Sequence, residues 1–251
     1  MLKGMMTMNK AIICQNLTKK YKDTLAVNNL NLEIFEGELF SLLGVNGAGK
    51  STTIKMLCGL TKPTSGDAVI IDESIKNDSF KKYIAVSPQE TAVAKNLSVE
   101  ENLLFMAKIY FDKEKANKKV EEVLNQFSLS DVKNKRAKAL SGGYQRRLSI
   151  AMAVISEPKI LFLDEPTLGL DVIAMHELWE TIKSLKSKTT VILTTHYMKE
   201  AETLSDRVGI MSKGNLIDIG TPQELIEKSG KDNFEDAFIA ISKETNTEVV
   251  K

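Results

Sequence analysis

Residues 38–51 read ELFSLLGVNGAGKS, and this stretch decides the fold. The run ELFSLL at 38–43 is apolar and ends at Gly44, as a short buried strand does. From Lys50 the chain continues KSTTIKMLCG, with Ile54, Leu57 and Cys58 on one helical face and a stop at Gly59. The order is strand, glycine-rich turn, helix. The turn, GVNGAGKS at 44–51, fits G-x-x-x-x-G-K-[ST], a phosphate-binding loop. Gly44, Gly47 and Gly49 let the backbone curl so that several N–H groups point inward at phosphate oxygens. The helix starting near Lys50 adds its N-terminal dipole. Lys50 places a point charge between the β- and γ-phosphates, and Ser51 offers its hydroxyl to Mg²⁺. An ordinary glycine turn gives the same pattern by chance in roughly 1% of chains this long, and the required strand-then-helix context lowers that further.

Two further stretches belong to the same chemistry. In ILFLDE at 160–165, four apolar residues bury a strand and Asp164 emerges at its carboxyl end, where ligands sit in open α/β sheets. Asp164 can hold Mg²⁺ through water, and Glu165 can accept a proton from an attacking water. Alone this pattern is weak, because many buried strands end in an acid that caps a helix. In LSGGYQRR at 140–147, Ser141, Gly142 and Gly143 open a helix and make another anion-binding N-terminus. Taken alone this is a plain Ser N-cap. Beside a complete phosphate cradle at 44–51, a second cradle far away in sequence calls for a second role.

Outward from these motifs, strands are expected at 11–16, 25–34, 68–72, 82–87, 190–196, 208–212 and 215–220. Helices are expected at 172–186, 197–205 and 222–229. Apolar strands alternating with helices imply a parallel sheet covered on both faces. A mainly helical insert at about 90–156 interrupts it. Its first helix opens on SVEE at 98–101, where Ser98 caps and Glu101 reaches back. Val120, Val123, Leu124 and Phe127 mark its second helix.

Composition bounds the function. The 251 residues carry 43% hydrophobic and 27% charged residues, which excludes wholesale disorder. Lys plus Arg is 34 against 33 for Asp plus Glu, so no basic surplus points to nucleic acid, and none is expected as a partner. Two cysteines, Cys14 and Cys58, without a CxxC, argue against a disulfide scaffold or zinc site. No stretch reaches the length of a membrane span, and MLKGMMTMNK lacks the apolar core of a secretory signal. A cytoplasmic location is the expectation.

Together the motifs resemble the ATP-binding subunits of ABC transporters, over about residues 11–242. GVNGAGKS looks like the Walker A motif, LSGGYQ like the family signature, and ILFLDEP like Walker B with its glutamate. Gln89 in VSPQE resembles the Q-loop glutamine, TLGLD at 167–171 the D-loop, and TTH at 194–196 ends in the switch histidine, His196. Tyr21 in KKYKDTLAV matches the aromatic that stacks on adenine. His176 reads as structural.

The resemblance implies an α/β fold: a P-loop NTPase core, an antiparallel β subdomain and an inserted α-helical subdomain. Residues 1–10 are then a flexible N-terminus and 243–251 a C-terminal tail. It implies ATP and Mg²⁺ as cofactors, with Lys50, Gln89, Glu165 and His196 in catalysis and Ser51, Gln89 and Asp164 at the metal. The implied nucleotide contacts are Tyr21, Val27, Gly44, Asn46, Gly47, Ala48, Gly49, Lys50, Ser51, Thr52, Ser141, Gly142, Gly143 and Asp171. Two subunits, identical or related, would face each other head to tail, each ATP held by the loop of one and Ser141 and Gly143 of the other. The partners implied are integral-membrane permease subunits, with the chain peripheral on the inner face of the cell membrane.

Residues 195–225 resemble exporter-type ATPases for drugs, sodium or polysaccharides, and NFEDAFIAIS at 233–242 their C-terminal helix. The long regulatory domain of sugar-importer ATPases is not expected. Val172 stands where many relatives carry Pro, a residue suited to a helix first turn but not required there. The competing class, a soluble ABC-type ATPase acting on ribosomes or nucleic acid, usually carries two cassettes or a long coiled coil. This chain has one phosphate loop and no sustained heptads. For the permease, ETAVAKNLSVEENLLFMAKIY at 90–110 is the expected docking groove, built from some of Leu97, Leu103, Leu104, Phe105 and Met106.

Overall fold

The computed structural model describes residues 9–186 and 188–247, with side chains to 243. In chain order the elements are β1 (Lys10–Tyr21), β2 (Thr24–Phe35), β3 (Leu39–Leu43), α1 (Lys50–Leu57), β4 (Ser65–Ile70), β5 (Glu73–Ser74) and β6 (Ile84–Ser87). There follow α2 (Val99–Tyr110), α3 (Lys113–Gln126), α4 (Gly142–Val154), β7 (Ile160–Asp164), α5 (Val172–Leu185), β8 (Thr190–Thr195) and α6 (Met198–Leu204). The chain then adds β9 (Arg207–Ser212), β10 (Asn215–Gly220), α7 (Pro222–Ser229) and α8 (Phe234–Thr247).

These strands form two sheets. The larger has the order β10-β9-β3-β8-β7-β6, parallel from β9 to β6 with β10 antiparallel at the edge. Its central strands read as unbroken apolar runs because both faces are covered. Successive side chains point to opposite faces, so Leu161 and Leu163 of β7 enter one core cluster and Ile160 and Phe162 another. In β8, Val191 and Leu193 part from Ile192 in the same way. The first cluster packs α2, α3, α4 and α5. The second packs α1 and the smaller, antiparallel sheet β2-β1-β4-β5. A third, from Leu43, Val208 and Ile210, seats α8 through Phe234, Phe238 and Ile241.

The helical insert is built as its sequence indicates. Ser98 Oγ accepts the Glu101 N–H at 3.1 Å, and Glu101 Oε2 accepts the Ser98 N–H at 2.7 Å. Val120, Val123, Leu124 and Phe127 are all buried. Cys14 and Cys58 are free and buried, and burial pushes the Cys14 thiol up to about 12.

The chain departs from its sequence reading at several boundaries. Lys82 and Tyr83, expected in a strand, lie in a 3-10 turn over Asp78–Tyr83. The short β5 was not expected. Lys10 already pairs in β1, and α8 continues past 242 to Thr247, so neither boundary of the expected terminal segments coincides with an element end. Residues 1–8 and 248–251 of those segments lie outside the described residues.

Candidate nucleotide site

The carboxyl ends of four neighbouring parallel strands converge on one edge of the large sheet. β3 delivers Gly44 and the glycine loop, β8 delivers Thr194, Thr195 and His196, β7 delivers Asp164 and Glu165, and β6 leads to Gln89. This is the edge at which open parallel sheets take ligands. A cleft of about 540 Å³ opens here, within the range for a small-molecule site.

The glycine loop forms one wall. Gly49 has φ +104, and a Cβ there would sit 2.5 Å from the Ala26 carbonyl oxygen. At Gly44 a Cβ would meet the Met211 carbonyl oxygen at 2.4 Å. Only glycine allows the loop to lie this close to β2 and β9. No side chain caps α1, and Thr53 N–H, donating to Gly49 O at 2.9 Å, closes the first helical turn. The N–H groups before it have no acceptor within the helix, which makes this N-terminus suited to an anion.

Lys50 is 5% exposed. Its ammonium donates to Gly44 O at 2.7 Å and Val45 O at 3.3 Å, and it pairs with Glu165 Oε1 at 3.3 Å. The other oxygen of Glu165, Oε2, lies 2.7 Å from His196 Nδ1. Lys50, Glu165 and His196 are thus one connected chain of charge and hydrogen bonds. Beneath it, Asp164 Oδ1 accepts from Ser51 Oγ at 2.9 Å and from Thr194 Oγ1 at 2.5 Å. Thr194 Oγ1 in turn accepts the Glu165 N–H at 3.0 Å. A single buried hydroxyl therefore sets both acidic residues.

Of the residues expected at the site, Tyr21, Asn46, Gly47, Ala48, Gly49, Lys50, Ser51, Thr52, Gln89, Glu165 and His196 line this cleft. Tyr21 is 45% exposed, with Lys19 Nζ 4.8 Å from its ring centroid. Gly44 lies behind the loop and Asp164 beneath Ser51. Val27 is a correction: it is fully buried in the core against α1, and Leu25 and Ala26 line the cleft in its place. In a strand the side chain alternates, so Ala26, next to Val27, faces away from that core, while Leu25 reaches the cleft because it lies at the exposed start of β2. Ser141, Gly142, Gly143 and Asp171 do not line the cleft of their own chain. Ser141 and Asp171 cap neighbouring helices, accepting the N–H groups of Tyr144 at 3.5 Å and Ala174 at 2.9 Å.

Thr194, Arg146, Leu168 and Lys213 were not singled out from the sequence. Thr194 and Arg146 stand inside quoted motifs, TTH and LSGGYQRR, but their partners are distant in sequence. Leu168 lines the cleft from within TLGLD, where only Asp171 was named, and Lys213 lines it from a turn that carries no motif.

The donors near Ser51 suit Mg²⁺: a hydroxyl and a carboxylate oxygen already held together, with Gln89 also lining the cleft. Among the described residues no group of three or more His, Cys, Asp or Glu is gathered for a metal. This is the donor set for an ion completed by phosphate oxygens and water rather than by a protein cage.

A family model described as ABC transporter matches residues 27–168, more than half the chain. The chain belongs to the ABC transporter family of ATP-binding domains. An AAA-domain model also matches residues 139–199. The ABC domain is 40% identical over 239 residues to the probable multidrug ABC transporter ATP-binding protein YbhF of Escherichia coli, covering 92% of this chain and 41% of that one. It is 43% identical over 212 residues to the human phospholipid-transporting ATPase ABCA3, covering 83% of this chain and 12% of that protein. The chain therefore spans less than half the length of these curated relatives. Its fold matches the dimeric post-hydrolysis structure of the ATP-binding cassette MJ0796 bound to ADP and Pi, with a TM-score of 0.76 at 28% identity, covering 84% of this chain and 98% of that one. ABC ATPases of this family hydrolyse ATP, and the fold is that of their P-loop cassette. No described helix of this ABC domain is long and apolar enough to cross a membrane.

Proposed function

We propose that this ABC domain hydrolyses ATP to drive export through separate membrane permease subunits. It would work in a head-to-tail dimer on the inner face of the membrane. The observation that carries the reading is the cleft in which Lys50, Ser51, Glu165 and His196 meet at the ends of adjacent strands. ATP phosphates would enter the glycine loop, with Lys50 at the β/γ junction and adenine against Tyr21. Ser51 and Asp164, with Gln89 across the cleft, would hold Mg²⁺, whose charge would neutralise phosphate oxygens. Glu165 would take the proton of the attacking water as the new P–O bond forms and the bond to the ADP oxygen breaks. The Nδ1 contact of His196 would hold Glu165 in place and turn the ring toward the transferred phosphoryl group.

The dimer is supported by the matched MJ0796 dimer and by the position of Ser141 and Gly143 outside their own cleft. In a two-fold pair that N-terminus would close over the partner's nucleotide. Permease partners are supported by family membership. Export is supported by the multidrug and phospholipid relatives, which also favour an amphipathic substrate. The test is Lys50→Ala. Nucleotide fluorescence should report ATP affinity lowered by about 10- to 100-fold, the worth of charge-assisted hydrogen bonds to phosphate, with turnover lost. Unchanged affinity in that variant would remove the assignment.

A further inference from the structure

Arg146 is the fifth residue of α4 and is 3% exposed. A guanidinium has five N–H donors in a rigid fork. Here they meet five backbone carbonyls. Nε donates to Pro166 O at 2.8 Å, Nη1 to Pro88 O at 2.5 Å and Gln89 O at 3.2 Å, and Nη2 to Asp164 O and Glu165 O, both at 2.8 Å. These carbonyls belong to two segments, the loop after β6 that carries Gln89 and the end of β7 with the turn after it, which carry Asp164 and Glu165. The donor stands on a third segment, the helix that Ser141 opens.

The next residue shows the ordinary alternative. Arg147 pairs with the Glu177 carboxylate and stacks over the Tyr144 ring, and its Nε has no partner. Arg146 makes no ion pair among the described residues. Burial weakens its hold on the proton, and the charges of Asp164, Glu200 and Glu165 at longer range oppose that. A buried cation is a poor way to gain stability, since apolar residues of similar volume often do as well or better. Its distinctive property here is geometric. One side chain fixes the main chain of both catalytic loops to one helix.

We propose that Arg146 is a positioning residue for hydrolysis: it holds the Glu165 and Gln89 loops in register with α4. Movement of that helix is thereby passed to the proton-accepting carboxylate. Arg146 does not line the nucleotide cleft and makes no hydrogen bond to the glycine loop, so its loss should leave ATP binding intact. The inference rests on the ATPase reading of the cleft.

The experiment compares wild type with Arg146→Lys and Arg146→Met in the full chain, reading kcat and KM for ATP alongside thermal unfolding. Lys keeps the charge but cannot form the planar fork. Both variants should lose kcat by about 10²-fold, the effect of a displacement near 1 Å, with KM within about threefold of wild type. Amide hydrogen exchange over residues 86–90 and 163–168 should be at least about tenfold faster in both. Wild-type turnover tests the ATPase reading separately, and exchange tests Arg146 even without turnover. Full activity and unchanged exchange in Arg146→Lys would overturn the proposal. So would kcat falling only in step with ATP binding, or failure of both variants to fold, because the residue would then be structural.

Discussion

Glu165 adopts φ +48, a left-handed conformation that costs a non-glycine residue roughly 1 kcal/mol. Its N–H is anchored to Thr194 O at 3.2 Å and to Thr194 Oγ1 at 3.0 Å, so the turn is held against that strain. Strain of this kind collects at functional positions. A second carboxyl nearby, Glu200, is fully buried and accepts from Trp179 Nε1 at 3.1 Å. Burial pushes its carboxyl above the ordinary range, against the Trp179 N–H that favours the charged form. A raised carboxyl means that the folded state binds the proton more tightly than the unfolded one. Its stabilising contribution is complete below the ordinary carboxylate value and is lost as pH rises through the raised one. Glu200→Gln cannot ionise. Its Tm relative to wild type should therefore become more favourable from pH 5 to pH 8 in differential scanning calorimetry. A pH-independent difference would show that Glu200 does not titrate abnormally.

At the scale of elements, α2 presents two chemistries. Val99, Leu103 and Ala107 are buried, and Leu104 and Met106 pack partly against the same core. Phe105, Ile109 and Tyr110 stand 63%, 60% and 54% exposed. Of the five residues named for the groove only Phe105 is fully outward, so Ile109 and Tyr110 must complete any docking face. Phe105→Glu should break coupling to a permease while basal ATP hydrolysis stays near wild type, read as transport against turnover in proteoliposomes. Normal transport by a folded variant would move the docking face elsewhere. Local signals made this helix legible: the Ser98–Glu101 box is a matter of neighbouring residues. Two-residue β5 carried no period to read, and α8 ran past its last apolar anchor, Ile241, through polar residues. In the site, the loop at 44–51 could be read from spacing because its function is local. Arg146 could not, because its five acceptors lie 18 to 58 residues away in sequence.

For the whole molecule, the cleft and the Ser141 N-terminus are separate surfaces of one chain. Leu168, Val172 and Ile173 lie 42%, 67% and 73% exposed around the Asp171 cap, an apolar surface that a second copy would cover. Glu165→Gln should slow hydrolysis and leave the cradle intact. Sedimentation velocity should then show that variant as a monomer without nucleotide and a dimer with ATP. The same mass in both conditions would argue against the head-to-tail arrangement.

The ion pair between Lys50 and Glu165 has a consequence for idling. On the proposed reading, the cation that would meet phosphate and the carboxylate that would activate water are 3.3 Å apart, and each would hold the other until nucleotide binds. Nucleotide would then have to win Lys50 from Glu165, and in doing so it would free the base. Priming and loading would become one event. ADP, which cannot be turned over, isolates the competition. Glu165→Gln should bind ADP severalfold more tightly than wild type in calorimetric titration, and the gain should vanish in the Lys50→Ala background. Equal ADP affinity of wild type and Glu165→Gln would mean that the two groups do not compete.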